Sequence, residues 1–186
     1  MKKIYLYISI LVLLVISLIF DKQISLFFTS YRNNVFNSIA IFIDYISWYI
    51  LFSVVIIIVL LRKEYDKIIP LIISLGLYLI LTNGLKIIFS RPRPFAGLEN
   101  ELIQTVNPYR SFPSGHAAAM FTLLPFLNFI KITWITLSII VMLSRVYLGV
   151  HYLSDVIAGM LLGLLTTELT YYFYGIFKQN QSHRKL

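Results

Sequence analysis

Residues 113–155 read PSGHAAAMFTLLPFLNFIKITWITLSIIVMLSRVYLGVHYLSD, and this stretch decides the architecture. Two polar blocks bracket an apolar run in which Lys131 is the one charged residue. The first block is Pro113-Ser114-Gly115-His116, and the second is Ser144-Arg145 followed by His151 and Asp155. A helix that crosses a bilayer needs ~20 mostly apolar residues, so the run is long enough for two. The spacing predicts helices over Ser114–Ile130 and Ile132–Gly149, running down and back. Both polar blocks then return to one membrane face.

Outward from this hairpin the pattern repeats. Further apolar segments cover Ile4–Phe20, Phe36–Leu61, Ile68–Phe89 and Tyr152–Phe177, six in all. Of the 186 residues, 59% are hydrophobic and 13% charged. A water-soluble domain cannot cover that much apolar side chain with polar surface. Lipid also requires backbone groups to be satisfied within each segment. The expected fold is therefore all-α, an integral membrane protein built as a six-transmembrane-helix bundle, with residues 1–186 forming one domain. Lys2 and Lys3 before the first segment could mark a secretory signal. The stretch Ser17-Leu18-Ile19-Phe20 lacks a small-residue cleavage pattern, so a retained first helix is expected. The chain has no cysteine, which excludes disulfides, cysteine-ligated zinc and thiol catalysis.

The net charge of +8 is dispersed over loops and helix ends, with no continuous patch for nucleic acid. If six helices alternate, Lys2, Lys3, Arg62, Lys63, Lys67, Lys131, Lys178, Arg184 and Lys185 share one side. Lys22, Arg32, Lys86, Arg91, Arg93, Arg110 and Arg145 share the other. The first group sits in short loops and tails and is placed in the cytoplasm by the positive-inside rule. Five of the second group, all but Lys22 and Arg32, lie in or beside the motif residues described below, which should face outward.

Three cations, two histidines and a carboxylate thus meet at one depth, and ionisable groups at spanning-helix ends are functional candidates by default. Lys86 and Arg93 lie seven apart, about two turns, and share a face if the third helix runs that far. The run Arg91-Pro92-Arg93-Pro94 should end that helix. An Arg fork beside a Lys point charge suits phosphate oxygens. Ser114 opens the fourth helix, whose N-terminus offers free N–H groups to an anion. Gly115 lets that anion approach the backbone. Ser114 either caps the helix or bonds a phosphate oxygen. His116 sits in the first turn, within reach of a bound anion. His151 and Asp155, at i and i+4, share a helix face, so the carboxylate can fix the imidazole tautomer and leave the other nitrogen to attack. Arg145 adds positive charge for the equatorial oxygens of a transferring phosphoryl group.

These residues resemble the type 2 phosphatidic acid phosphatase family, which includes bacterial lipid phosphatases and soluble vanadium haloperoxidases. The family pattern K-x6-R-P, P-S-G-H and S-R-x5-H-x3-D is matched by Lys86/Arg93/Pro94, Pro113/Ser114/Gly115/His116 and Ser144/Arg145/His151/Asp155. The resemblance covers Lys86 to Asp155 and the six-helix layout of the membrane members. It implies that His151 is the nucleophile, forming a phosphohistidine, with Asp155 orienting it. His116 would protonate the leaving group. Lys86, Arg93, Ser114, Gly115 and Arg145 would hold the phosphate. No metal or other cofactor is implied.

The expected function is hydrolysis of a lipid phosphate or diphosphate in a bacterial cytoplasmic membrane, at a site facing the periplasm or exterior. Candidate substrates are undecaprenyl diphosphate, phosphatidylglycerophosphate, phosphatidic acid and a lipid A phosphate. No protein partner is implied. A non-enzymatic anion or lipid-phosphate carrier is the alternative, but it has no use for an oriented imidazole. A vanadate-dependent oxidase fits poorly, since those relatives are soluble. Arg91 and Arg110 either meet an anionic headgroup or are solvated loop charges. Asp44 either pairs with a site cation, Lys86 or Arg145, or only faces an aqueous funnel, and structural support is the expected role. Glu168 should bond a neighbouring helix, the Tyr171–Tyr174 run reads as an aromatic belt, and Pro70 and Pro125 should shape their helices.

Overall fold

The computed structural model describes residues 2–94 and 107–183, so Arg184, Lys185 and residues 95–106 of the loop between the third and fourth helices lie outside it. Among the described residues, six α-helices form the bundle: α1 Lys2–Ser30, α2 Asn34–Leu61, α3 Ile68–Phe89, α4 Gly115–Leu123, α5 Lys131–Tyr147 and α6 Leu153–His183. Short 3-10 turns cover Tyr65–Lys67 and Leu124–Ile130. Among the described residues, Lys3–Phe28, Tyr65–Phe89, Gly115–Tyr147 and Leu153–Phe177 are long and apolar enough to cross a membrane. In α2, 28 residues contain a single charge, Asp44.

The stretch Gly115–Tyr147 is a hairpin, as its two flanking polar blocks require. As one straight helix it would hold His116 and Arg145 about 43 Å apart. Both instead touch one carboxylate oxygen, Asp44 Oδ1. The reversal occurs at the 3-10 turn, where Pro125 cannot donate to a helical ladder and Leu127 takes non-helical dihedrals (φ −117°, ψ 36°). Trp134 Nε1 then donates back to Met120 O at 2.9 Å and locks the two legs together.

Large apolar side chains such as Ile4, Leu11, Val15, Ile80 and Ile88 point outward, whereas Ala117, Ala118 and Ala119 are fully buried. Lipid is as apolar as leucine, so close backbone packing replaces hydrophobic burial as the cohesive force. The closest packing is between α4 and α6. A Cβ on Gly159 would lie 2.4 Å from Ser114 O, and one on Gly163 would lie 2.3 Å from Ala118 O. Thr167 Oγ1 continues the seam by donating to Thr122 O at 2.8 Å. These pairings advance in the same direction along both helices, so α4 and α6 are parallel. They bring the start of α4 against the start of α6.

The first helix departs from expectation. It does not stop at Phe20 but runs to Ser30, carrying Asp21 inside the bundle. Lys3 Nζ meets Glu168 Oε1 at 2.8 Å near one end of the α1–α6 pair, and Asp21 meets Ser154 near the other. The two helices are therefore antiparallel. The Glu168 expectation of a neighbouring-helix partner is met by this bond.

Candidate active site

The ends of α3 and α5 and the starts of α4 and α6 converge on one buried polar cluster. Helix α3 closes at Phe89, with Ser90 in the left-handed region (φ 40°) and its N–H on Lys86 O. Arg93 is thus beyond the helix, and the shared-face route to Lys86 does not apply, because the prolines end the helix first. The two cations meet through a backbone carbonyl instead. Lys86 Nζ donates to Arg110 O at 2.9 Å, and Arg93 Nη2 donates to the same oxygen at 3.1 Å. Arg93 Nε and Nη1 donate to Asn107 O (2.8 Å) and Val150 O (2.6 Å). Burial, with Arg145 next in effect, lowers Arg93 to about 10, which leaves it charged at neutral pH. The side chain of Arg110 is exposed, and its contribution is this carbonyl.

Gly149, at φ 68°, turns the chain out of α5, a conformation glycine adopts without cost from a Cβ. His151 follows in that turn, two residues before α6, and so does not share a helix with Asp155 as the spacing alone suggested. Asp155 is the third residue of α6, and its Oδ2 accepts from Tyr152 N at 2.8 Å, half of a capping box. The same Oδ2 accepts from Ser111 Oγ and lies 3.5 Å from His151 Nδ1. That separation is long for a hydrogen bond, as unliganded catalytic pairs often are. His151 Nε2 points the other way, 3.4 Å from Arg93 Nη1. Burial pushes His151 down to about 3, against the pull of Asp155, so the ring is neutral at neutral pH.

Ser114 occupies the N-cap position of α4 but makes no side-chain cap bond. It is fully buried, and its Oγ has no hydrogen-bond partner among the described residues. The capping alternative is thereby set aside, leaving the hydroxyl available to a ligand. Its N–H donates to Asp155 O at 2.9 Å, tying the two blocks. A Cβ at Gly115 would find only Thr82 Cγ2, at an ordinary 3.8 Å, so packing does not demand glycine there. Asp44 Oδ1 bonds Arg145 Nη1 and lies 3.3 Å from His116 Nε2. Of the two partners expected for Asp44, Arg145 is the one it takes.

All eight sequence-predicted residues therefore gather in one cluster. Sequence reasoning missed Ser111, Asp21 and Ser154, which hold it from behind, and left Arg91 open. Arg91 is an ion-pair partner of Asp21 and Asp155 and not a solvated loop charge. The arrangement offers an aimed neutral imidazole, a second histidine beside a carboxylate, and several cations, the requirements of phosphoryl transfer.

The chain is 38% identical over 120 residues to phosphatidylglycerophosphatase B of Bacillus subtilis (strain 168), an alignment covering 56% of each chain. It is 37% identical over 111 residues to an undecaprenyl-diphosphatase of Sulfolobus acidocaldarius, covering 56% of this chain and 54% of that one. The match thus spans about half the length of these curated relatives. The fold resembles the crystal structure of a transmembrane PAP2-type phosphatidylglycerolphosphate phosphatase from Bacillus subtilis, with a TM-score of 0.68 and 27% identity over 91% of this chain and 96% of that one. The sequence profile of the PAP2 superfamily matches residues 67–178, from the start of α3 into the last turns of α6. This multi-pass membrane protein belongs to the PAP2 superfamily.

Proposed function

We propose that the chain is a metal-independent lipid phosphatase or diphosphatase whose 186 residues form one catalytic domain. The observation that carries the reading is the aim of His151, with Nδ1 turned to Asp155 and Nε2 turned to the cations. An anion carrier needs the cations but not the aimed ring.

In the proposed reaction Lys86, Arg93, Arg145, Ser114 and the Gly115 N–H bind the phosphate. His151 Nε2 attacks phosphorus, an N–P bond forms, and the P–O bond to the lipid breaks. His116 gives its proton to the departing oxygen. Asp155 stabilises the imidazolium that develops. A water then attacks phosphorus, its proton passes to His116, and the N–P bond breaks to release phosphate. The relatives' names support phosphatidylglycerophosphate and undecaprenyl diphosphate as candidate substrates, with phosphatidic acid and a lipid A phosphate beside them. The site faces the periplasm or exterior of a bacterial cytoplasmic membrane, supported by the positive charge on the opposite loops.

The test is phosphate release by the detergent-purified protein from these four lipids, with EDTA present. Release that persists in EDTA and is lost in His151→Ala is the expected result. Failure to cleave any of the four, or equal release by the variant, overturns the reading.

A further inference from the structure

Asp21 lies outside all three sequence motifs and Arg91 is an unspecified position within the first, yet Arg91, backed by Asp21, grips the carboxylate behind His151. Arg91 Nη1 donates to Asp155 Oδ1 at 2.6 Å and to Ser154 Oγ at 2.7 Å. Its Nη2 donates to Asp21 Oδ2 at 2.7 Å. Asp21 in turn accepts from Ser154 N at 3.0 Å and from Ser154 Oγ. The guanidinium lies over the Tyr152 ring, 4.3 Å from its centroid. One planar fork thus bridges carboxylates from the first and last helices.

We propose that Arg91, held in place by Asp21, is a positioning residue for the nucleophile, fixing Asp155 by its Oδ1 so that Oδ2 stays turned to His151. The inference rests on the phosphatase reading above. Two physical arguments support it. The first is geometric. A carboxylate bonded on one oxygen only can rotate, whereas Asp155 is held on Oδ1 by Arg91 and on Oδ2 by Tyr152 N and Ser111. The second is charge. Asp21, Asp155 and Arg91 sum to −1, and the imidazolium formed on His151 brings the buried group to neutrality. Arg91 paired with Asp155 alone would cancel that carboxylate in the resting state and leave the imidazolium uncompensated, which is costly in a buried site. Asp21 shares the guanidinium and keeps Asp155 available. Burial works against the charge on Arg91, yet Asp155 and Asp21 hold it above its ordinary value. Both protons of Arg91 Nη1 and one of Nη2 are committed to these bonds, which speaks against a primary role in holding the headgroup.

The experiment compares kcat and KM for wild type, Asp21→Asn, Arg91→Lys, Arg91→Ala and the Arg91→Ala/Asp21→Asn pair on a cleaved lipid phosphate. Each protein is assayed well below its own melting temperature in the same detergent. Misplacement of a catalytic group costs roughly 10²-fold, so Arg91→Ala should lose about that in kcat with KM within about twofold. Asp21→Asn should lose about tenfold in kcat, and Arg91→Lys should fall between wild type and Arg91→Ala. The double variant should be no slower than Arg91→Ala, because Asp21 acts through Arg91. It should also melt higher, since only one uncompensated buried carboxylate remains. Wild-type kcat in Asp21→Asn, or a raised KM with unchanged kcat in the Arg91 variants, overturns the inference while leaving the phosphatase reading intact. Absence of cleavage by the wild type overturns the phosphatase reading first and the inference with it.

Discussion

The glycine seam between α4 and α6 makes the sharpest prediction, because it couples packing to the site without touching it. In Gly159→Ala the new Cβ would lie 2.4 Å from Ser114 O, 3.0 Å from Ala117 Cβ and 3.2 Å from Ala118 N. Two of these atoms are backbone and cannot swing aside. Restoring ordinary contact requires α4 and α6 to part by about 1 Å, and overpacking of this kind costs about 1–3 kcal/mol. The strain falls where the Ser114 N–H donates to Asp155 O at 2.9 Å. A shift of about 1 Å there breaks that bond and moves the Ser114–His116 turn away from His151. The expected loss in kcat is about 10²-fold. Gly175→Ala is the control on the same helix, since nothing lies within 4 Å of its Cβ. It should hold wild-type kcat and gain about 0.5–1 kcal/mol from helix propensity. The assay is steady-state phosphate release beside thermal unfolding in one detergent. Wild-type kcat and melting temperature in Gly159→Ala would refute the claim that this contact sets the site.

Ser114→Ala should lower kcat/KM about tenfold, one hydrogen bond to phosphate, while stability changes by less than the ~1 kcal/mol of a lost helix cap. A lowered melting temperature with full activity would return Ser114 to a capping role. The acid limb of kcat/KM should show no protonation of His151 between pH 7 and 5. A pKa lowered to about 3 keeps His151 neutral until the pH approaches that value, whereas an ordinary histidine would charge below 6.5. Two substrates with different phosphate ionisations separate enzyme from substrate titration, and a shared limb near 6.5 would count against the burial argument. Asp44→Asn removes the countercharge from Arg145 and the carboxylate beside the His116 ring. It should destabilise the protein by about 3 kcal/mol and reduce kcat, both readable in the same assays. An unperturbed melting temperature would mean that Arg145 finds another partner.

Several parts of the fold and site were legible because their chemistry is local. Proline ended α3 near Phe89, and Pro113-Ser114 opened α4, as the residue types demand. Other parts misled for an equally physical reason. Asp21-Lys22 reads as the edge of a membrane segment, because an acid in lipid is costly. The helix continues because Asp21 finds Ser154 and Arg91, 133 and 70 residues away. His151 and Asp155 suggested one helix face. The turn at Gly149 instead delivers His151 from outside the helix, while Asp155 caps it.

The sequence by itself determined the solvent, the apolar segments and the end of the bundle where the polar residues collect, since apolar run length and motif order follow from composition along the chain. It also named the eight residues of the cluster through their spacing. Only the tertiary structure decided how those residues are held. Arg93 and Lys86 rest on the carbonyls of Asn107, Val150 and Arg110, and a carbonyl has no residue type to read. The bridge from Asp21 through Arg91 to Asp155 depends on antiparallel packing of the first and last helices. Contacts of that range arise from the folded bundle, where burial makes each charge seek whatever partner the neighbouring helix presents.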